Sequence, residues 1–512
     1  MAETYSTLAA LFTDIADAIR EKTGDTASIV ADDFPDVIRE RLQVIPPPPY
    51  LTFKSPSSFT LVVNDGTKHW DGTLEYSTDA SAWATWDGAT TLSSATSGSD
   101  NVLYLRGTGN TVITGNSKNY RWILTGTDVS CIGNIENLLD YATVESGAHP
   151  MMAISCYGYM FYGCTSLTHA PALPATTLAI NCYRYMFFDC TALTQAPALP
   201  ATILTDYCYM SMFNGCTSLT QAPALPATTL ANYCYQYMFT GCTRLTQAPE
   251  LPATTLMSDC YYDMFYGCTS LTQAPELPAT TLVSNCYYGM FYDCTGLTQA
   301  PALPATTLAE SCYRYMFYGC TSLIKAPALP ATTLANYCYQ YMFNYCTILT
   351  QAPELPATTL ASNCYGYMFY GCTSLTQAPE LPATTLANFC YAYMFRNCTS
   401  LTQAPALPAT TLAESCYYHM FQGCSSLTQA PALPATTLAN YCYKNMFNNC
   451  TRLKLSSTQT GEYTQEYRIP SSGTGTTATG ALTDMFINTG GTFTGTPEIN
   501  TTYYISNTNT II

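Results

Sequence analysis

From Cys156 onward the apolar and polar positions of this chain recur with a fixed period of 26 residues, in twelve near-identical copies that run to beyond Cys450. A long constant period is the mark of a stacked solenoid, whose units each touch only their neighbours. One unit, taken from Cys234, reads CYQYMFTGCTRLTQAPELPATTLMSD. Cys234, Met238 and Cys242 stand at i, i+4 and i+8, and Tyr235 pairs with Phe239, which predicts a short helix with an apolar stripe. Gly241 then falls at the C′ position, where a left-handed backbone is usual. The equivalent residue is Gly in seven copies, Asp at 189 and 293, Asn at 397 and 449, and Tyr only at 345. All but the last tolerate positive φ, so Tyr345 is expected to be strained or locally rearranged. Leu245-Thr246-Gln247-Ala248-Pro249 follows as a short extended segment, with Leu251 and Leu256 facing inward and prolines limiting the ladder. At a strand spacing near 4.8 Å the copies would build a slab roughly 55 Å long.

The flanking patterns differ. Leu8, Leu11, Phe12, Ile15 and Ile19 recur at helical spacing, and a second helix is predicted from near Asp33, so residues 1–45 read as a helical head. Pro46 to Pro49 form a stiff polyproline linker. Residues 50–127 alternate in short stretches with turn signals, such as Phe59-Thr60-Leu61-Val62-Val63 running into Asn64-Asp65-Gly66, a hairpin cue, and predict a small all-β domain. Residues 128–155 read as an N-terminal cap of the solenoid. Beyond the repeats (156–455) lies a β-rich C-terminal cap, 456–512, in which Met485-Phe486 echoes the repeat. The expected fold is therefore a leucine-rich-repeat-like solenoid, one short helix plus one short strand per repeat, behind a helical segment and a small all-β domain.

Charge narrows the partners. Only 10% of the 512 residues are charged, yet the net charge is −16, which argues against nucleic acid and anionic membrane. No apolar run is long enough for membrane insertion. The segment Met1-Ala2-Glu3-Thr4 leads straight into an amphipathic pattern without a secretory signal, so synthesis in a cytoplasm is expected. The 25 cysteines suggest a disulfide scaffold at first sight, but 24 of them sit on a C-x7-C-x17-C lattice. Partners eight residues apart on a helix are about 12 Å apart, too far for a bridge within one repeat, and the spacing suits zinc poorly. Buried reduced thiols are one reading, bridges between neighbouring repeats the other.

Met-Phe-x-Gly-Cys-Thr-Ser-Leu-Thr followed by a Pro-containing strand resembles the BspA-like leucine-rich repeats of bacterial surface proteins, over about 310 residues. The Leu-Pro-Ala-Thr-Thr-Leu corner and the second cysteine depart from that pattern. Separately, DIADAIREKTGDTASIVADDFPDVI resembles an N-terminal segment of tail-fibre and minor structural proteins of gut-bacterial phages. That resemblance implies attachment of residues 1–45 to virion tail proteins.

The copies differ from one another at few positions: +2, +3, +6 and +7 from the first cysteine, and the three residues before it. These lie off the Cys/Met stripe and are expected to be exposed. Tyr mixed with small polar residues and Arg makes a paratope-like surface, so the candidate ligand-binding residues are Arg184, Tyr185, Gln236, Tyr237, Tyr262, Tyr266, Tyr288, Tyr292, Arg314, Tyr318, Gln340, Tyr370, Arg396 and Tyr418. Neutral drift of exposed positions is the competing account. Cys234, Met238, Phe239, Gly241 and Cys242 are structural. Four scattered histidines and no nucleophile elbow, P-loop or zinc spacing argue against an enzyme, a metal or a cofactor. Trp70, Trp83 or Trp86 could hold a sugar, though such tryptophans are more often core. The expectation is a phage tail-fibre or receptor-binding protein on the virion tail, recognising a bacterial surface protein or glycan, with possible homo-oligomers. The alternatives are a bacterial cell-surface adhesin and a structural spacer or filament subunit.

Overall fold

A computed structural model describes residues 48–512. The predicted helices of residues 1–45, the phage-like segment and the first two prolines of the linker lie outside the described residues.

The N-terminal module is built of β1 (Leu51–Ser55), β2 (Thr60–Val63), β3 (Thr73–Ser77), β4 (Ala84–Thr85), β5 (Leu92–Ser93), β6 (Ala95–Ser97), β7 (Asp100–Thr108), β8 (Trp122–Thr125) and β9 (Val129–Ile132), with a single 3-10 turn at Lys118–Tyr120 and an α-helix, α1 (Asn137–Glu145), after β9. Alternation fixes the faces: along β7, Leu103 and Leu105 are fully buried while Tyr104 and Arg106 face outward. Asn64-Asp65-Gly66 does turn the chain, with the Gly66 N–H donating to Val63 O at 2.9 Å and φ +69° at the glycine. The hairpin it cues does not form. β2 pairs with β5 and β8, whereas the next strand, β3, joins β7 in the other sheet. The Asn64 N–H is taken by Arg121 O at 2.9 Å, which ties the turn to a distant segment instead.

The larger sheet does not end with the module. Its order is β10-β9-β1-β7-β3-β4, and β10 (Leu167–His169) already belongs to the first repeat. The Ile113 and Trp122 N–H groups donate to Cys156 and Met160 carbonyls at 2.9 and 2.8 Å, so the module covers the first repeat's open backbone edge. A continuous hydrophobic core runs from Leu51 to Ile505. Its aromatic axis starts at Trp70, Trp86 and Trp122, with centroids 5.0 and 5.4 Å apart, then reaches Phe161 at 6.2 Å.

The repeat itself corrects the expectation of a helix. Among the described residues no helix falls between 156 and 455. The segment is a train of tight turns with φ positive at −1, +3 and +7 in all twelve copies, for example Tyr233, Tyr237 and Gly241 at 58°, 57° and 71°. N–H groups at +2, +4, +6 and +8 donate three residues back, as Met238 does to Tyr235 O at 3.1 Å. Those at −1, +1, +3, +5 and +7 cross to the next copy, as Tyr235, Tyr237, Phe239 and Gly241 do to Cys260, Tyr262, Met264 and Tyr266 carbonyls at 3.1, 2.9, 2.9 and 2.7 Å. A helix would have spent every donor locally. Here half of them join the repeats, which satisfies the buried backbone and locks the register. Positions +0, +1, +4, +5 and +8 point inward, so the apolar spacing imitates a helical stripe at a true period of four.

The opposite face is extended but hardly a sheet. After β10 the copies are linked by single-residue parallel bridges, Gln221 to Gln247 to Gln273 and Thr229 to Thr255 among them. Prolines at +15 and +18 lack the N–H groups a longer ladder needs. Inside, Phe161 to Phe187 and every later Phe of this column stack at 5.5–5.7 Å as far as Phe486. All 25 cysteines are buried and unpaired. The +8 thiols donate to the +5 carbonyl of the preceding copy, as Cys242 does to Phe213 O at 3.1 Å. A small apolar residue with a weak donor suits that place.

The stack closes at a thirteenth, degenerate coil in which Gly480, Asp484 and Asn488 take the positive-φ places. Phe493 and Tyr467 cover Phe486 edge-on at 6.4 and 6.0 Å. The remaining strands are β11 (Gln429–Ala430), β12 (Leu455–Ser456), β13 (Tyr463–Arg468), β14 (Thr502–Ser506) and β15 (Thr510–Ile511). β14 lies between β12 and β13, and β15 pairs back in parallel onto β11.

Candidate ligand-binding face

The turn train sets which side chains can reach a partner. Residues at +2, +3, +6 and −1 project from its outer side, and because each copy sits directly on the next, like side chains stack into columns. The +3 column runs Tyr315, Tyr341, Tyr367 and Tyr393 with centroids 4.5, 4.4 and 4.2 Å apart, and His419 continues it at 4.8 Å. At +6, Tyr266, Tyr292 and Tyr318 stack at 4.8 and 4.4 Å. At +2, Tyr262 and Tyr288 stack at 4.3 Å. Twelve of the non-glycine residues held at positive φ are tyrosines. An L-residue in that region costs about 1–2 kcal/mol, and a stacked aromatic pair returns about 0.5–1.5 kcal/mol. Stacking thus holds residues that the backbone alone disfavours.

Stacking also corrects the expected exposure. Of the fourteen candidate residues only Tyr266 is clearly exposed, at 38%. Arg184, Tyr185, Tyr237, Tyr262, Tyr288, Tyr292, Arg314, Tyr318, Tyr370, Arg396 and Tyr418 are half-buried, because neighbours above and below cover their ring faces. Gln236 and Gln340 are buried at 8% and 5%, and Gln340 Nε2 donates to Asn363 Oδ1 at 3.2 Å. The face therefore offers a grooved wall of ring edges and hydroxyls. Its cations lie on the rings: Arg184 over Tyr185 at 5.0 Å, Arg314 over Tyr315 at 5.1 Å, Arg396 over Tyr370 at 5.4 Å and Lys444 over Tyr441 at 5.4 Å. Tyr418 meets His419 edge-on at 4.1 Å, and burial holds the His419 imidazole below its usual range.

Burial raises the phenols of Tyr237, Tyr288 and Tyr292, pushes those of Tyr262 and Tyr367 furthest and that of Tyr393 to about 12, so these hydroxyls stay neutral across the physiological range. Asp263 is the exception. It takes a +3 place between Tyr237 and Gly289, and burial lifts its carboxyl to about 7. The structural residues Cys234, Met238, Phe239 and Cys242 are fully buried, and Gly241 has φ +71°. The +3 tyrosines 315, 341, 367 and 393 and the −1 column, which share this face, were not among the candidate residues. Their signal was present: both columns mix Tyr with Ser, Asn and Asp, as the +7 column mixes Gly with Asn and Asp.

Elsewhere the prospects are poorer. Trp70, Trp86 and Trp122 are core, at 3%, 1% and 0% exposure. Trp83 alone is half-exposed, with the Arg106 guanidinium 4.1 Å above its ring and Arg106 paired to Glu75 at 2.8 Å. On the proline side, shallow grooves lie between neighbouring copies, one of about 460 Å³ lined by Gln299, Pro301, Pro304, Lys325, Pro327 and Pro330. Similar grooves recur along that side without converging polar groups. Among the described residues no group of histidine, cysteine and carboxylate side chains could hold a metal ion.

The BspA type leucine rich repeat region matches in six copies, over residues 144–272, 236–376 and 339–467. Together these spans run without a break from 144 to 467, well over half of the chain. The chain belongs to the BspA-type leucine-rich repeat family. Among curated proteins, none matches it. Among solved structures, the crystal structure of the TLR13–ssRNA13 complex is similar over 59% of this chain and 41% of that one, at 15% identity and a TM-score of 0.24. The BspA-type array thus accounts for the repeats, with its outer tyrosines as the part that differs from copy to copy.

Proposed function

We propose that this BspA-type protein is an adhesion protein that binds a macromolecule on a cell surface through the tyrosine-lined face of its solenoid, without catalysis. The observation that carries the reading is the set of half-exposed tyrosine stacks at +2, +3 and +6, on the face that varies most between copies. Rigid stacked tyrosines lose little entropy on binding and present both apolar edges and hydroxyls. Family membership supports a role at a bacterial cell surface, where the protein would act as an adhesin. The resemblance of the head segment supports the same chemistry on a phage tail, with residues 1–45 held by tail proteins and the solenoid turned toward the bacterial host. Both readings take a surface protein or glycan as the ligand.

The test is adhesion of the full chain to a panel of gut bacterial strains. Replacing Tyr262, Tyr288 and Tyr292 together with Ala should abolish adhesion while the array stays folded, its unfolding midpoint lowered only by the lost stacks. Unaltered adhesion by the folded triple variant would remove the tyrosine face from the account. Recovery of the protein in purified virions, against recovery in the cell-envelope fraction, separates the tail protein from the adhesin.

A further inference from the structure

The +3 column loses its ring at single copies, as at Ser211, and within the twelve copies at two consecutive copies in one place. Between Tyr237 and Tyr315 the +3 column carries Asp263 and then Gly289, so two consecutive copies lack a ring there. The adjoining columns are at their most aromatic at this point: Tyr262 and Tyr288 stack on one side, Tyr266 and Tyr292 on the other. Tyr237 meets Tyr262 edge-on at 5.4 Å, and Tyr315 closes the far end against Tyr288 at 5.4 Å. A carboxylate is thus enclosed by phenol rings.

The Asp263 carboxylate leans over the bare Cα of Gly289, and its Oδ1 occupies space that a Cβ there would need. That oxygen is buried and accepts no hydrogen bond. Among the described residues no lysine or arginine pairs with it. The nearby cation of the face, Arg314, is drawn instead over Tyr315, Tyr337 and Tyr288. A buried carboxylate without a partner is costly, and an incoming cation would relieve that cost. The face already shows that its rings accept cations, since Arg184, Arg314, Arg396 and Lys444 all sit on tyrosines.

We propose that Asp263, framed by Tyr237, Tyr262, Tyr266 and Tyr288 and given room by Gly289, is a subsite for a primary ammonium group. The carboxylate accepts the N–H hydrogen bond and neutralises the charge, and the ring faces supply cation–π attraction. An amino sugar and a lysine side chain both present this chemistry. The subsite rests on the tyrosine face being the binding face, and it names the charge that face selects.

Titration of the full chain with a glucosamine oligomer and with a short lysine peptide, each beside its N-acetylated form, tests the proposal. One free-amine ligand should bind and its acetylated form should bind at least tenfold more weakly, and which of the two binds identifies the source of the amine. Asp263→Asn, close to isosteric, should weaken that binding at least tenfold. For the lysine peptide, binding should also fall between pH 8 and pH 5.5, because the carboxyl, lifted to about 7 by burial, takes up a proton while the lysine amine keeps its charge; the amino-sugar amine gains its own proton over the same range, so its binding should peak between those limits. The groups facing it are the phenols of Tyr237, Tyr262, Tyr266 and Tyr288, each raised by burial, with the Arg314 guanidinium beyond Tyr288. Equal binding by Asp263→Asn, or no binding of either free amine, overturns the proposal. If Asp263→Asn adheres to cells as wild type does while the Tyr262/Tyr288/Tyr292 variant does not, the face stands and the ammonium subsite falls.

Discussion

Ser211 decides between a helix and a turn train. It occupies +3 of the third copy, is 1% exposed, has φ +53° and donates its N–H to Gln236 O at 2.8 Å. Replacing it with Ala or with Gly changes little besides a hydroxymethyl group, so backbone preference dominates the comparison of the two variants. In a helix interior Ala would be better than Gly by about 1 kcal/mol. At φ +53° the order reverses, because an L-residue pays about 1–2 kcal/mol that Gly does not. The expected result is that Ser211→Gly is more stable than Ser211→Ala by about 1–2 kcal/mol, a swing of about 2–3 kcal/mol between the two architectures. Urea unfolding of both full-length variants, followed by tyrosine fluorescence and compared at matched slope, measures it. Ser211→Ala equal to or more stable than Ser211→Gly would refute the turn train and restore the helix.

Three further outcomes follow from the same geometry. Phe239 is fully buried and stacked between Phe213 and Phe265 at 5.7 Å on either side, so Phe239→Ala should lower stability by about 3–5 kcal/mol in the same assay. The 25 thiols are buried and unpaired, with burial pushing those of Cys268 and Cys390 to about 12; a thiol reagent at pH 8 should label almost none natively and all 25 in denaturant, while a deficit in denaturant would reveal bridges. Asp263, raised from 3.8 to about 7, weakens the fold progressively as pH rises between those values. Asp263→Asn should therefore unfold later than wild type at pH 8, by about 1–3 kcal/mol after solvent screening, and the two should converge near pH 4; a constant gap would assign the difference to something other than ionisation.

The period, the inward set of Cys, Met, Phe and Leu, and the left-handed +7 position were all legible, because twelve copies let one sequence be compared with itself. The helix was misread for a specific reason. Inward pairs at +0/+1 and +4/+5 with a single residue at +8 satisfy an i, i+4, i+8 rule whether the chain advances by helical turns or by four-residue turns. What distinguishes the two is the outward set. Ser, Asn, Asp and Gly recur at −1, +3 and +7, as positive φ requires, but bulky tyrosines at −1 and +3 hid that signature. The way the β module covers the first repeat was not legible either. It depends on bonds such as Ile113 to Cys156 and Trp122 to Met160, between segments with no shared pattern.

The tyrosine face separates into two parts once the backbone is known. At −1, +3 and +7 the choice of residue is restricted by positive φ, so variation there is partly a record of what the turn will tolerate. At +2 and +6 the backbone imposes no such restriction, and the residues range over Gly, Ala, Arg, Lys, Met, Gln, Thr, Asn, Phe and Tyr. Drift at unconstrained positions would scatter tyrosines along the array. Of the eight tyrosines at +2 and +6, five (Tyr262, Tyr266, Tyr288, Tyr292 and Tyr318) fall in three consecutive copies and stack upon one another, with Tyr162, Tyr370 and Tyr418 outside that run. The same stretch holds the break in the +3 column and the buried carboxylate without a partner. The missing ring and the uncompensated charge are one residue, Asp263, and it falls beside the densest tyrosines of the outer columns, where a ligand group would be held.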